Sequence, residues 1–113
     1  MTQAVDRAGD GRARVRIAMP SQLRDLARVT GEVEVEVEVH GSVTLGAVLD
    51  ALEAAHPTLE GPIRDRRTRQ RRAMIRIYAD GEDLSDAEPE TLLPDVLRDG
   101  REPLRIVGAI AGG

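Results

Sequence analysis

Residues 32–39 read EVEVEVEV, four Glu at 32, 34, 36 and 38 alternating with four Val at 33, 35, 37 and 39. Successive side chains of a strand point to opposite faces, so this period of two collects the Val on one face and the Glu on the other. A helix would scatter both types around its axis. The chain must therefore contain a β-sheet with one covered face and one wet face. A row of like charges also discourages edge-to-edge pairing, which suits an edge strand. The Glu row of 32–39 is read as a solvated face, with an acidic stripe for a basic partner as the alternative.

The remaining segments supply what such a strand needs. Residues 13–19, ARVRIAM, alternate Val15, Ile17 and Met19 against Arg14, Arg16 and Ala18 and stop at Pro20, a second half-buried strand. SQLRDLARVTG is a short turn or helical loop. Thr44 stands where it can cap a helix through TLGAVLDALEAAH, with Leu45, Val48, Leu49 and Leu52 on one apolar stripe and Pro57 ending it. MIRIYA alternates again, Asp80-Gly81 is a tight-turn dipeptide, a weak strand follows, and PLRIV is the last strand. EDLSDAEPETLLPDVL is an acidic connection with a short helix expected around 91–97. The order is strand, strand, helix, strand, weaker strand, short helical piece, strand. It predicts an α+β domain in which one main helix covers one face of a mixed sheet of four to five strands and leaves the other face open.

A length of 113 residues suits one domain that buries about two thirds of its unfolded surface. With no Phe, no Trp and Tyr78 as the lone aromatic, the core is aliphatic and bases cannot be stacked. Residues 1–12 are polar and aperiodic and are expected to be a disordered arm, 13–108 the folded domain and 109–113 a flexible tail. No run has the length of a signal peptide or a membrane span, so a cytoplasmic protein without membrane contact is expected.

Chemistry is limited by what is missing. The sequence holds no Cys, hence no thiol nucleophile, thiolate metal site or persulfide, and all 16 of its basic residues are Arg. His40 and His56 have no second ligand at metal spacing and are assigned to a strand end and a helix end, with no metal expected. DGEDLSDAEPE lacks the internal Gly of a calcium loop and is read as solvated. No phosphate-binding loop or nucleophilic triad pattern occurs. The Arg run of IRDRRTRQRRA, spanning 64–72, is read as an exposed loop. It has no interleaved aromatics and belongs to a chain of net charge −4, so nucleic acid is not expected, and docking to an acidic protein surface is the alternative.

By elimination, the chemically distinctive group is the terminal carboxylate of Gly113, at the end of VGAIAGG. Extended, the five residues 109–113 reach roughly 17 Å beyond the last strand. Gly112 and Gly113 carry no Cβ, so the backbone can pass a narrow channel and present an unhindered carboxylate.

From about Val15 onward the chain resembles the MoaD/ThiS family of small sulfur carriers, which have the ubiquitin-like β-grasp fold. The resemblance rests on RIAMPSQLRDL, HGSVTLGAVLDALEAAHP, IRIYADGEDL, and LRDG followed by RIVGAIAGG. The longer segment LEGPIRDRRTRQRRA is closer to carriers of cysteine biosynthesis and natural-product pathways than to the compact thiamine carriers. The resemblance implies that this is a carrier, not an enzyme. A partner E1-like adenylyltransferase, using ATP, would join AMP to the Gly113 carboxylate. A sulfur donor would then displace AMP to leave a thiocarboxylate, and a sulfur-accepting biosynthetic enzyme would take the sulfur. No cofactor is bound by the chain itself. Gly112, Ala111, Ile110 and Ala109 would be recognised as the tail, Val107 and Ile110 would be gripped by the activating enzyme, and the open sheet face would dock.

The sequence also departs from that family. Arg101, Glu102 and Pro103 follow Gly100 where carriers of this type have an acidic residue and a β-branched pair, and Gly108 stands where they have a Pro, which implies a looser tail. Three other readings stay open: a ubiquitin-like modifier attached to lysines of other proteins through the same terminus, the small subunit of a molybdopterin synthase, and a plain β-grasp interaction domain.

Overall fold

The computed structural model describes residues 12–29 and 34–108. Five strands form a single mixed sheet in the order β2-β1-β5-β3-β4. The elements are β1 (Arg12–Ala18), α1 (Ser21–Ala27), β2 (Glu34–His40), α2 (Leu45–Ala55), a 3-10 turn (Pro57–Leu59), β3 (Ile75–Ala79), β4 (Glu82–Asp83), α3 (Asp95–Arg98) and β5 (Leu104–Gly108). β1 runs antiparallel to β2 and parallel to β5, and β3 runs antiparallel to both β5 and β4. The α+β sheet with one main helix on one face is thus the observed architecture. Of the alternating run, residues 34–39 lie in β2 at the sheet edge, and Glu32 and Val33 lie outside the described residues.

Alternation sets which face is buried. Val35, Val37 and Val39 of β2 meet Ile17, Val15 and Ala13 of β1 across the register, and all six are buried. On the helix side they pack with Val48, Leu49 and Leu52 of α2, the stripe expected from the sequence. Leu104 and Ile106 of β5 and Ile75 and Ile77 of β3 complete the layer. Apart from Met19, every large hydrophobic side chain of the core is aliphatic, and burying one contributes about 1.5–3 kcal/mol.

The start of α2 shows why the helix begins where it does. The Thr44 hydroxyl accepts from Ala47 N at 3.1 Å, and the carbonyls of Thr91 and Pro89 accept from Leu45 N and Gly46 N at 2.9 Å each. The connection before α3 therefore crosses the helix N-terminus and meets donors that no helical carbonyl can reach. At the turn between β3 and β4, Asp80 and Gly81 both have positive φ, 52° and 81°, as a two-residue hairpin of this handedness requires.

Three expectations change. Arg12 opens β1 and does not belong to an arm; residues 1–11 lie outside the described residues. The short helix expected around 91–97 is confined to Asp95–Arg98, because Pro94 disfavours helical backbone at Leu93. Leu93 N instead donates to Val43 O at 3.0 Å, and Leu92 bridges Thr44. The third change concerns the Arg run, which is no simple exposed loop.

That run is folded back as a hairpin, with Arg64 bridging Arg71. Arg64 is buried at 6% exposure, donating to Glu53 Oε2 and Oε1 at 3.0 and 2.8 Å and to Asp50 Oδ1 at 2.6 Å. Arg69 donates to the same two carboxylates at 2.9 and 3.2 Å. Burial alone would lower the Arg64 pKa, but the hydrogen bonds to Glu53 and Asp50 outweigh it and hold the guanidinium more firmly charged than usual. Arg71 ties the hairpin to β3 through Ile75 O at 2.6 Å and to Ser85 O at 2.7 Å. A run of arginines announces charge, and it does not announce that two carboxylates on α2 lie beneath it.

Candidate functional site

β5 is the strand that leads into AIAGG. It lies in the interior of the sheet, paired on one side with β1 at Ile17–Leu104 and Ala18–Arg105, and on the other with β3 along its whole length, from Ala79–Leu104 to Ile75–Gly108. Leu104 and Ile106 point into the core and are buried, which fixes the strand's depth and register up to its last residue. The tail residues Ala109, Ile110, Ala111, Gly112 and Gly113 lie outside the described residues. What the structure gives is their anchor, Gly108 held opposite Ile75 at one end of the sheet.

Val107, the other tail-proximal residue singled out from sequence, is 46% exposed on the open face and stands opposite Arg76. Met74 has the same parity as Arg76 and Tyr78 and is 45% exposed. Arg105 sits between Ala18 of β1 and Tyr78 of β3. Sequence reasoning expected the open face to dock but named none of Met74, Arg76, Tyr78 and Arg105 on it. Their signal was the alternation itself, because whatever opposes Ile75, Ile77, Leu104 and Ile106 must face water.

The β1–β2 half of that face is electrostatically closed. Arg16 donates from Nε and Nη2 to Glu34 at 2.8 and 3.1 Å, and from Nη1 to Gly100 O at 2.6 Å. Arg14 approaches Glu36 at 3.7 Å and Arg12 approaches Glu38 at 3.6 Å. Each Arg takes the carboxylate two residues along from its direct cross-strand partner, as the twist of a strand pair favours. The hydrogen bond from Arg16 holds the Glu34 carboxyl below its ordinary pKa, and the same bond raises that of Arg16. Glu34, Glu36 and Glu38 have their basic partners within the chain, on β1.

The β3–β4 edge is ordered by a second carboxylate. Asp83 accepts from Ser85 N at 2.9 Å and from Arg76 Nη2 at 2.7 Å, and its pKa is pulled down to about 2, first by the Ser85 hydroxyl, then by the Ser85 N–H and by Arg76. His40 ends β2 with Nε2 3.6 Å from Glu38, and His56 caps the end of α2, the two positions expected for them. Among the described residues no three His, Asp or Glu are grouped to hold a metal ion. The open depression lined by Asp50, Glu53, Ala54, Pro57, Glu60 and Arg69 contains carboxylates already bound by Arg64 and Arg69. No helix among the described residues is long and apolar enough to cross a membrane.

No family model matches the chain. Small archaeal modifier protein 1 of Haloferax volcanii is 51% identical over 39 residues, which are 34% of this chain and 45% of that relative. The aligned stretch thus spans less than half the length of the relative. The solved structures agree over far more of the chain. The crystal structure of SAMP1 from Haloferax volcanii superposes with a TM-score of 0.64 at 28% identity, covering 88% of this chain and 99% of the other. The Amycolatopsis orientalis BexX/CysO complex matches with a TM-score of 0.64 at 25% identity, covering 88% and 99%. Mycobacterium tuberculosis CysO, at 24% identity and a TM-score of 0.64, shares the fold. These are small carrier and modifier proteins, not enzymes. The chain is a ubiquitin-like β-grasp protein similar to the small archaeal modifiers and to CysO, and its likeness to the MoaD/ThiS type of carrier holds in three dimensions.

Proposed function

We propose that this protein is a sulfur carrier whose reactive group is the carboxylate of Gly113. An E1-like adenylyltransferase brings ATP. The carboxylate attacks the α-phosphorus and pyrophosphate leaves, giving an acyl adenylate. A sulfur donor of the hydrosulfide class then attacks the carbonyl carbon, the bond to AMP breaks with its electron pair going to AMP, and a thiocarboxylate remains. A sulfur-accepting biosynthetic enzyme uses it in turn. The chain binds no cofactor of its own in this scheme, and it works in the cytoplasm, where ATP and such enzymes are available.

One observation carries the reading: the interior strand β5 is held by β1 at Leu104 and Arg105 and by β3 up to Gly108, and it leads directly into AIAGG. Residues 12–108 serve as the folded body and 109–113 as the tail. Ala109, Ile110, Ala111 and Gly112 let the tail enter the partner's site, with Ile110 and Val107 gripped there. The sequence supports the assignment, since without Cys it offers no other covalent sulfur position.

Intact-mass measurement of protein purified from its native host tests the proposal. The expected result is a fraction in which one oxygen is replaced by sulfur at the C-terminus. Unmodified chain alone, even after incubation with the host adenylyltransferase, ATP and a sulfur donor, would overturn it. The 39-residue likeness to an archaeal modifier favours one alternative, attachment of the same terminus to lysines of other proteins. Lysine-linked adducts in the host would select that reading.

A further inference from the structure

Charge on this molecule is divided from end to end along the strands. Gly108, Ile75, the β1–β2 connection and the end of α2 share one end, because Gly108 pairs with Ile75 and Ala18 pairs with Glu34. Residues 56–74, which join α2 to β3 there, hold six Arg against two carboxylates, Glu60 and Asp65. The other end carries the Asp80-Gly81 turn, the connection over the α2 N-terminus and α3. Residues 80–102 hold nine carboxylates against two Arg. With Asp50 and Glu53 of α2, which bind Arg64 and Arg69, the balance there is six Arg against four carboxylates, so a chain of net charge −4 is still cationic at the end where β5 stops.

The six Arg of the connection divide by task. Arg64, Arg69, Arg71 and Arg72 are committed to carboxylates and carbonyls of the chain. Arg66 and Arg67, at the tip, are exposed and make no ion pair with a described residue. Their backbone is nonetheless well fixed. Asp65 accepts from Arg67 N and Thr68 N at 2.8 and 2.9 Å, and Arg69 N returns to Asp65 O at 2.8 Å. Two bonds to backbone N–H groups hold the Asp65 carboxyl below its ordinary pKa, so the turn stays closed at neutral pH. Two guanidinium groups on a stapled hairpin lose little backbone freedom on meeting a partner.

We propose that Arg66 and Arg67 form a docking surface for an acidic protein patch bordering the site into which the 109–113 tail is inserted. Resting on the carrier reading above, the proposal names the chemistry of the activating enzyme's rim: Asp and Glu side chains that meet this hairpin. The end-to-end charge division turns the tail toward that rim during encounter, because opposite potentials steer diffusional approach and the acidic end is repelled. Nucleic acid is the less suitable partner for the same hairpin, since the nine carboxylates of 80–102 belong to the same small body and no aromatic side chain lies within 64–72.

The test uses the full chain and the adenylyltransferase of its native host, purified by ATP–pyrophosphate exchange that depends on the wild-type chain. Arg66→Glu/Arg67→Glu is expected to raise KM for the chain about ten-fold with kcat unchanged, and to flatten the dependence of KM on NaCl. Arg98→Glu/Arg101→Glu makes the same change in net charge at the acidic end and is expected to leave KM within about two-fold. Circular dichroism melting of all three proteins checks the fold, and Arg66→Lys/Arg67→Lys is expected to keep most of the affinity. Equal KM for the wild type and the Arg66/Arg67 reversal, or equal increases for both reversals, would overturn the docking surface and leave the carrier reading standing. No exchange with the wild-type chain would overturn both.

Discussion

Arg64 sits bidentate on Glu53, Nε to Oε2 at 3.0 Å and Nη2 to Oε1 at 2.8 Å, with both side chains nearly buried and joining residues 64–72 to α2. The pair is costly to break from one side only. Removing either partner leaves the other buried charge with one remaining partner, Asp50 for Arg64 or Arg69 for Glu53, and Glu53→Ala or Arg64→Ala is expected to destabilise by about 1.5–3 kcal/mol. An apolar pair of similar volume, Arg64→Met with Glu53→Leu, is expected to recover most of that loss, with Arg69 left between Asp50 and Glu60. Urea denaturation of the three variants measures the difference; equal losses in single and double variants would contradict it.

Gly46 lies in the first turn of α2, where an added Cβ would stand 3.1 Å from both Cβ and O of Pro89. Gly-to-Ala inside a helix ordinarily stabilises by about 1 kcal/mol. Here the neighbouring chain is a Pro whose carbonyl accepts from Gly46 N, so the contact cannot relax without loosening that bond. Gly46→Ala is expected to reverse the usual sign and destabilise by about 1–3 kcal/mol, read as a lower denaturation midpoint. A midpoint above the wild type would show that the connection yields freely.

Asp83 has its pKa lowered from 3.8 to about 2, with Ser85 the largest cause and Arg76 the next. A carboxyl whose folded pKa is depressed contributes stability above the unfolded value, and the contribution is lost as pH falls through the folded value. The window for this group is therefore about pH 4 down to about 2. An NMR titration of the Asp83 carboxyl carbon is expected to show its midpoint near 2, moving toward 3.8 in Ser85→Ala. A midpoint at the ordinary value in the wild type would exclude the hydrogen-bonded arrangement.

Much of this fold was legible because it depends on local pattern. The alternation of 34–39 gave β2, the Thr44 cap and the 45–52 stripe gave α2 with its observed start, and Asp80-Gly81 gave the turn. What escaped depends on distant residues meeting. Glu53 reads as a solvent-side helix residue until the 60–74 segment folds over it, and the Glu row of β2 reads as free until β1 sets Arg12, Arg14 and Arg16 beside it. The tail lies outside the described residues, and its chemistry is argued from the sequence alone. Gly-Gly after an apolar strand states what the backbone can do, and the structure adds the fixed strand that precedes it.

That strand supplies the last prediction. On the proposed carrier reading, the tail acts by fitting a partner's channel, and a substitution that adds bulk near its tip changes activation without touching the folded body. Gly112→Val adds a β-branched side chain beyond β5, which ends at Gly108. It is expected to lower the rate of adenylation about 100-fold, a loss of about 2.7 kcal/mol in transition-state stabilisation, with an unchanged melting temperature. Val107→Ala, on the open face opposite Arg76, is expected to give a smaller effect, seen as a several-fold higher KM at similar kcat. Wild-type rates in Gly112→Val would mean that the channel does not select against side chains there. A lowered melting temperature would mean that the tail packs on the body it leaves.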